Sequence, residues 1–236
     1  MTLADKIGRA VLTLPEHAIM HWPGGAGRLL RRAFWKQRLG GMGERVMIDV
    51  GVVIQSPESV FLGDDVWLDN YCVLIAGLPG SEVTRRRILP NPAFRGERGQ
   101  IRIGDRCHIG VHTVVQGHGG VSLGTDVAVG AHSMIYSQML HYRGEDYDGD
   151  PDDYDSVPKY GCGAGQAHCI VEGPVEMRAG SAILGGTMVL PGSSVGRFSV
   201  VGAGSLVQGR VPAGVIASGN PVRVDKQRFG RTIKDA

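Results

Sequence analysis

The segment from 171 to 212 repeats with a period of six residues, and this period constrains the fold more than any other feature of the chain. Cut into sixes, it reads VEGPVE, MRAGSA, ILGGTM, VLPGSS, VGRFSV, VGAGSL and VQGRVP. The first position of each hexad is apolar, the fifth is small or β-branched, and glycine is frequent between them. A helix repeats near 3.6 residues and an alternating strand near 2, so neither element fits by itself. We therefore expect short extended segments joined by tight corners.

Three hexads would make one turn of a triangular coil of about 18 residues, with successive turns about 4.8 Å apart, the spacing of parallel strands. The large first-position side chain would fill the prism, the small fifth side chain would lie near a corner, and glycine would supply the corner angles. A sandwich of short strands is the alternative, but such strands do not keep a fixed six-residue phase. The pattern predicts an all-β fold, a parallel β-helix.

Composition agrees with a narrow aliphatic core and excludes several classes of protein. Hydrophobic residues make up 42% of the 236 residues, and 37 are glycine. The net charge of +2 indicates no nucleic-acid partner. No apolar run approaches the roughly 20 residues of a transmembrane segment, and the N-terminus has no signal-peptide core. We therefore expect a cytoplasmic protein.

The phase of the repeat divides the chain. It holds from Ile48 to Leu74, is lost, holds again from Ile103 to Ile135, and is lost once more before the closing hexads. Two steps of eight residues predict small corner insertions, near Pro57 and through 117–120. We expect an N-terminal helical cap over 1–45, a β-helix domain over 46–212 with long inserted loops at about 76–101 and 141–170, and a C-terminal tail over 213–236.

The N-terminal helix is predicted over 26–39. Leu29, Leu30, Ala33, Phe34 and Leu39 would form its apolar side, and five basic residues, Arg31 among them, would form the other. The favoured interpretation is a cap on the open end of the solenoid, with a solvated basic face. Peripheral contact of that face with an anionic membrane stays open.

No metal site is predicted. Cys72 and Cys107 occupy fifth positions of hexads, so we expect them in the core. Cys162 and Cys169 could bind zinc with His168, but a fourth ligand at a suitable spacing is missing. The acidic run 145–155 lacks the glycine and the bidentate glutamate of a calcium loop.

Three segments add a resemblance to a known family. They are IYSQMLHY (135–142), VLPGSSVGRFSVVGAGSLV (189–207) and SGNPVR (218–223). Together with the hexads, from 46 to about 228, the chain resembles the acyltransferase branch of the hexapeptide-repeat family. That branch includes maltose, galactoside and xenobiotic acetyltransferases and polysaccharide O-acetyltransferases. The resemblance implies a left-handed β-helix, a homotrimer, and acyl-coenzyme A bound between subunits.

His141 is the predicted catalytic residue, because a coil breaks into a loop just where this histidine appears. Imidazole, with a pKa near 6.5, can accept the proton of an attacking hydroxyl at neutral pH. A thioester is already activated, so direct attack suffices, and a backbone N–H such as that of Gly185 would stabilise the oxyanion. Gln138 and Tyr142 are the predicted substrate-binding residues. The histidines at outward or corner positions are expected on the surface: His108, His112, His118 and His132.

The resemblance also implies the contacts with acetyl-CoA, the expected acyl donor. Arg223 and Lys226 follow the exit motif and match the family's phosphate contacts, and Ala203 matches a backbone contact with the pantetheine. The remaining predicted contacts are Gly185, Gly204 and Arg210. Two departures weaken the analogy: Ala182 stands where the family often has tryptophan, and Gln208 stands near the usual lysine, which we expect Arg210 to replace.

The sequence thus predicts an O-acetyltransferase acting on a sugar or glycan precursor, as in polysaccharide biosynthesis. N-acylation of an amino sugar stays open, since the same base serves an amine, and so does the length of the acyl chain. A zinc carbonic anhydrase of this fold would need two histidines five residues apart, whereas His108 and His112 are four apart. A non-catalytic trimeric scaffold is the last alternative.

Overall fold

The computed structural model describes residues 18–78, 83–140 and 168–230. Most strands belong to three sheets, which form the faces of a triangular prism. Face A contains β1 (Gly41–Met42), β4 (Val60–Leu62), β8 (Ile101–Ile103), β11 (Val121–Leu123), β16 (Val175–Met177), β19 (Ser194–Val195) and β22 (Arg210–Val211). Face B contains β2 (Met47–Ile48), β5 (Trp67–Leu68), β9 (His108–Ile109), β12 (Ala128–Val129), β17 (Ala182–Ile183), β20 (Val200–Val201), β23 (Val215–Ser218) and β24 (Arg223–Gln227). Face C contains β3 (Val53–Gln55), β6 (Val73–Ile75), β10 (Val114–Gln116), β13 (Met134–Tyr136), β18 (Met188–Val189) and β21 (Leu206–Val207).

The chain visits faces A, B and C in turn, so each coil has three corners. We call them the charged corner (A to B), the ring corner (B to C) and the insertion corner (C to A). Neighbouring strands of each face are parallel, except that β24 turns back antiparallel to β23. Val189 pairs with Val207, eighteen residues on, whereas Val115 pairs with Ile135, twenty residues on. The predicted coil length is confirmed, and the earlier coils are longer by their corner insertions.

The hexad positions have the expected places in the core. First-position residues from Met177 to Val207 are at most 1% exposed. The fifth-position hydroxyls are buried too, and all but that of Ser181 bond to backbone carbonyls. Thr187 Oγ1, for example, donates to Gly202 O (3.1 Å) and Ser193 Oγ to Val207 O (3.2 Å). Small size is therefore only part of the requirement, because a buried hydroxyl also needs a partner.

Cys72 and Cys107 are buried, as predicted. The Cys72 thiol donates to Gly110 O (3.1 Å) and the Cys107 thiol to Gly124 O (3.0 Å), so each thiol takes the place of a corner hydroxyl. Burial raises the pKa of Cys72 to about 12 and that of Cys107 to about 11. Both residues are structural.

The first predicted hexad is wrong. Val171 lies in a strand that projects from the prism, where it pairs with Met139 and Arg87 and is half-buried. The inward phase begins only at Val175. An apolar residue in phase with the coil is therefore not sufficient evidence that the backbone follows the coil.

The two long excursions both leave from the insertion corner, and they pair with each other. Their strands are β7 (Val83–Ile88), β14 (Gln138–Leu140) and β15 (His168–Glu172), which form the projecting sheet. β15 is antiparallel to β14 and parallel to β7. The sequence predicted two separate loops, because neither segment shows its partner locally.

The N-terminal helix, α1 (Gly24–Lys36), packs against β2. Its predicted apolar side is correct for Leu39, which is buried just past the helix, and for Phe34, which packs against the core, but it is wrong for the two leucines. Leu29 is 68% exposed and Leu30 44%, whereas the buried face is Gly27, Arg31 and Trp35. Residues four apart share a helix face. Arg31 tolerates burial because Nε donates to the Ile48 carbonyl (2.8 Å) and Nη1 to those of residues 22 and 19 (2.7 and 3.1 Å).

The exposed basic residues of α1 are ion-paired within the chain. Arg28 pairs with both carboxylate oxygens of Asp49, which also accepts the Trp67 indole N–H (2.8 Å), and Arg32 pairs with Glu44 (2.8 Å). Burial by itself would raise the pKa of Asp49, but its hydrogen bonds outweigh burial and hold the pKa below the usual range. In the described ranges, no helix is long and apolar enough to cross a membrane.

Candidate functional site

The ring corner carries a column of left-handed residues, one on each coil. Tyr71, His112 and His132 have φ of 58°, 57° and 57°, and Gly186 and Gly204 continue the column at 70° and 66°. The Tyr71 and His112 rings stack with centroids 5.2 Å apart, and His112 and His132 with centroids 5.1 Å apart. Since side chains rarely adopt this conformation, histidine and tyrosine at these positions are unusual. The rings fill the corner up to His132, and beyond it the corner is bare.

We call the bare part of the ring corner the glycine groove. It consists of Gly185, Gly186, Ala203 and Gly204, and all except the half-buried Gly185 are exposed. Gly204 N–H donates to Gly185 O (3.0 Å), which ties the two coils together. Within the described residues, the N–H groups of Gly185 and Ala203 have no backbone acceptor. The groove therefore has two backbone N–H donors without backbone acceptors on successive coils, beside a surface without long side chains.

Positive charge lies at the far end of the glycine groove. β24 begins at the ring corner, where Arg223 pairs with Ser218 of β23, and Lys226 pairs with Ile216. Arg223 and Lys226 are exposed, whereas Arg228 lies at the charged corner, where its Nη1 donates to Phe198 O (2.7 Å). A long anionic ligand could place its charged end here and its neutral part along the groove.

The insertion corner, on the other side of face C, holds the rest of the predicted site. Gln138 starts β14, and its buried Oε1 has no hydrogen-bond partner among the described residues. Arg210 lies at the start of β22, just past this corner. His141 and Tyr142 lie outside the described residues. The structure thus brings Gly185, Ala203 and Gly204 together, but separates them from Gln138 and Arg210 by the width of face C.

Side chains of the excursions fix the insertion corner. Arg98 donates to both carboxylate oxygens of Glu172, whose side chain is 3% exposed. Leu89 N–H donates to Glu172 O (2.7 Å), and Asn91 Nδ2 donates to the carbonyls of Pro174 and Ser193 (2.9 Å each). The first excursion thereby holds β15, which in turn pairs with β14.

Face C has an apolar outer surface, whereas that of face A is mostly polar. Along it, one apolar side chain from each strand pairs in register with the next: Val53, Val73, Val114, Met134, Met188 and Leu206. The corresponding row of face A is mostly polar: Phe61, Arg102, Ser122, Glu176, Ser194 and Arg210. Val53 is 46% exposed and Met134 36%. A continuous apolar stripe of this kind marks an interaction surface.

The described residues contain no group of three or more His, Cys, Asp or Glu side chains arranged to hold a metal ion. His108 stacks on Trp67 with centroids 4.7 Å apart, and His118 Nδ1 lies 2.8 Å from Gly77 O. These two histidines therefore have structural contacts.

Comparisons with known proteins agree on the architecture. The N-acyltransferase AntD of Bacillus cereus, solved with dTDP and coenzyme A, superposes with a TM-score of 0.62 at 20% identity, over 84% of this chain and 89% of that one. A hexapeptide-repeat acetyltransferase of Vibrio cholerae, solved with acetyl-CoA, gives 0.51 at 16% identity over 89% and 81%. A maltose O-acetyltransferase of Clostridium difficile gives 0.51 at 18% over the same shares. The chain has the fold of the hexapeptide-repeat acetyltransferases.

Similarity in sequence is more limited. No family model matches the chain. The Saccharomyces cerevisiae protein YJL218W, an acetyltransferase by name, is 41% identical over 51 residues, or 22% of this chain. The match spans about a quarter of that relative's length, 26%.

The sequence did not predict the ring column. Tyr71, His112, His132, Gly186 and Gly204 all occupy the fourth position of their hexads. That shared position was the available signal. The fourth position predicts that these side chains point out of the prism. To predict that the rings stack, one must also know which coils lie next to each other once the long inserted segments are removed.

Proposed function

We propose that this protein is an acyltransferase that moves an acetyl group from acetyl-CoA to a hydroxyl of a sugar or glycan precursor. The observation that carries the proposal is that the glycine groove and the insertion corner form opposite edges of one apolar face. Likeness in fold to proteins solved with coenzyme A and acetyl-CoA supports it. The sequence resemblance further supports a left-handed coil with two long inserted loops.

The active site forms between copies of the chain in a homotrimer. With face C turned toward a three-fold axis, the ring corner of one copy lies against the insertion corner of the next, because a cyclic contact joins two different surfaces. An axis parallel to the prism leaves equal coils at equal heights. His132 of one copy then faces Gln138 of its neighbour, and Ala203 faces Arg210. Burial of the apolar stripe would stabilise this assembly.

Acetyl-CoA fits the groove in one direction. The phosphates would lie at Arg223 and Lys226, where guanidinium and ammonium groups can form charge-assisted hydrogen bonds. The pantetheine would run along the glycine groove and accept a hydrogen bond from the N–H group of Ala203, which leaves that of Gly185 for the oxyanion. The thioester would then lie near His132, at the level of the coil from which β14 and the loop carrying His141 depart.

His141 acts as the general base. Its imidazole takes the proton of the acceptor hydroxyl while the oxygen attacks the thioester carbonyl carbon. A backbone N–H of the groove stabilises the oxyanion. On collapse the C–S bond breaks, the new C–O bond remains, and the proton passes from His141 to the leaving thiolate. Gln138 and Tyr142 bind the acceptor.

The experiment is to measure thiol release from acetyl-CoA with a panel of sugar acceptors. In His141→Ala, turnover should fall at least about 100-fold, since general-base catalysis contributes about 10²–10⁴. His108→Ala is the matched control, because that ring stacks on Trp67 away from the groove, and it should keep its activity. If His141→Ala turns over as fast as the parent protein, His141 is not the base.

N-acylation of an amino sugar is the second candidate, because AntD is an N-acyltransferase. Parallel panels of hydroxy and amino sugars separate the two reactions. Alkaline hydroxylamine removes an acetyl ester but leaves an acetamide, so treatment of the purified product identifies the acylated atom. If the protein binds acetyl-CoA but acetylates neither the hydroxy sugars nor the amino sugars, the acceptor is not a sugar of either kind. If the protein does not bind acetyl-CoA, the non-catalytic scaffold is the better interpretation.

A further inference from the structure

The glycine groove is closed at one end by an aromatic face. His112 covers one face of the His132 ring, with nearly parallel planes 16° apart. On the other side the next residue of the column is Gly186, which has no side chain to cover the ring. The groove therefore ends against an imidazole.

Other glycines at left-handed corners show that such a place is normally filled. A Cβ on Gly51 would lie 2.3 Å from the Tyr71 ring, and a Cβ on Gly180 would lie 2.4 Å from the Phe198 ring. In each case an aromatic ring of the next coil occupies the space that the glycine leaves. A Cβ on Gly186 would meet nothing closer than 3.9 Å, and only the backbone of Gly204. At the ring corner the same holds for Gly204, where an added Cβ would meet nothing within 4 Å.

The space above Gly186, which we call the terminal slot, has apolar borders. Leu184 precedes it on the side of face B and is 46% exposed, and Met134 flanks His132 on the side of face C and is 36% exposed. Exposed aliphatic side chains beside a bare glycine offer apolar surface to a ligand rather than hydrogen bonds. The slot suits a small apolar group.

We propose that the terminal slot binds the acyl group of the donor, and that it takes chains longer than acetyl. This inference rests on the proposed function. The exposed cations lie at one end of the groove and His132 lies at the other, so a donor with its phosphates on the cations has its acyl group at His132. Gly186 then determines the length of chain that the groove accepts.

The test is calorimetric titration of the whole protein with coenzyme A, acetyl-CoA and butyryl-CoA, which needs no knowledge of the acceptor. The parent protein should bind butyryl-CoA about tenfold more tightly than acetyl-CoA, because two further methylenes become buried. Gly186→His fills the slot, and His112 and His132 already adopt the required backbone conformation in this column. In that variant butyryl-CoA should bind no more tightly than acetyl-CoA.

Two further variants keep the result interpretable. Gly204→His lies one coil along, on the path of the pantetheine, and should weaken all three ligands alike. Gly186→Asn adds a smaller side chain that tolerates the left-handed conformation, and should give an intermediate preference. A ratio of two affinities measured on one preparation does not depend on the fraction folded.

The outcomes separate the inference from the function beneath it. Equal affinities of the parent protein for acetyl-CoA and butyryl-CoA would overturn the terminal slot and leave the acetyltransferase proposal standing. An undiminished preference for butyryl-CoA in Gly186→His would also overturn it. If the protein does not bind coenzyme A, both the proposed function and the terminal slot are wrong.

Discussion

The two edges of face C are built in different ways. At the ring corner, backbone conformation and stacking between adjacent coils define the surface, from Tyr71 to Gly204. At the insertion corner, side chains far apart in sequence do so: Arg98 and Glu172 are 74 residues apart. A rigid groove for a donor can be repeated coil by coil, whereas a loop that presents a catalytic group must be held by its own contacts. The proposed site uses one edge of each kind.

Loss of Arg98 should break the insertion corner and have the largest effect on stability. Arg98→Ala leaves the buried Glu172 carboxylate without its partner, and we expect the free energy of unfolding to fall by about 3 kcal/mol, the low end for breaking a buried pair. Chemical denaturation measures the change. Thiol release should fall as well, because β15 positions β14.

The charged corner supplies the control for Arg98. Arg106 makes a similar two-bond pair with Asp126 (2.7 and 3.0 Å), but both side chains are more than half exposed. Arg106→Ala should cost little stability, because an ion pair exposed to solvent is screened. In the double variant Arg98→Leu with Glu172→Leu, much of the lost stability should return, because no buried charge remains. Equal losses for the two single variants would mean that the insertion corner does not depend on this pair.

At the ring corner, alanine at two glycines separates the filled part of the column from the empty part. Gly51→Ala forces a Cβ to within 2.3 Å of the Tyr71 ring, whereas Gly204→Ala meets nothing within 4 Å. Both substitutions place an alanine in the left-handed conformation, which destabilises the folded protein by about 1–2 kcal/mol. We expect Gly51→Ala to lower the free energy of unfolding by a further ~1 kcal/mol, through displacement of the ring.

A double-mutant cycle checks the cause of that difference. In a Tyr71→Ala background the two glycine substitutions should cost the same within about 0.5 kcal/mol. A difference that persists without the Tyr71 ring would show that backbone strain, and not the stacked column, distinguishes the two positions.

The sequence predicted the parts of this molecule that repeat locally. First-position residues such as Ile183 and fifth-position residues such as Cys72 are buried as their place in the hexad requires. It failed where burial depends on a distant partner. The inward face of α1 centres on Arg31, whose guanidinium is satisfied by carbonyl groups that no helical pattern encodes. Val171 keeps the hexad phase, yet it belongs to the projecting sheet because β7 is available to pair with it.

The candidate site divides in the same way. Gly185 was predicted from the glycine-rich corners and Ala203 from the family resemblance, and the two lie together with Gly204 on one corner. The partnership of Arg98 with Glu172 was not found, because no local pattern joins residues from two excursions. Pairing between coils also depends on the lengths of the excursions, so the stacking of Tyr71 on His112 could be recognised only in three dimensions.

The smallest predicted effect concerns Glu176, a face A residue that is buried beneath the first excursion. Glu176 projects from β16 and is 6% exposed. Burial raises its pKa, although Ser122 and the Arg95 backbone N–H donate to it and act in the opposite direction. A carboxyl group whose pKa is higher in the folded than in the unfolded state favours folding below about pH 4.3, the pKa of an unfolded glutamate, and loses that contribution as the pH rises through its folded pKa.

Glu176→Gln should therefore stabilise the protein at pH 7, by less than about 1 kcal/mol, since the amide can still accept both hydrogen bonds without a buried charge. Denaturation at pH 4 and at pH 7 measures the effect: the variant should gain on the parent protein as the pH rises. Glu58→Gln, at an exposed position, should change little at either pH. If Glu176→Gln loses stability at pH 7, the carboxylate is better solvated there than its burial implies, and the excursion covers face A less tightly than it holds β15.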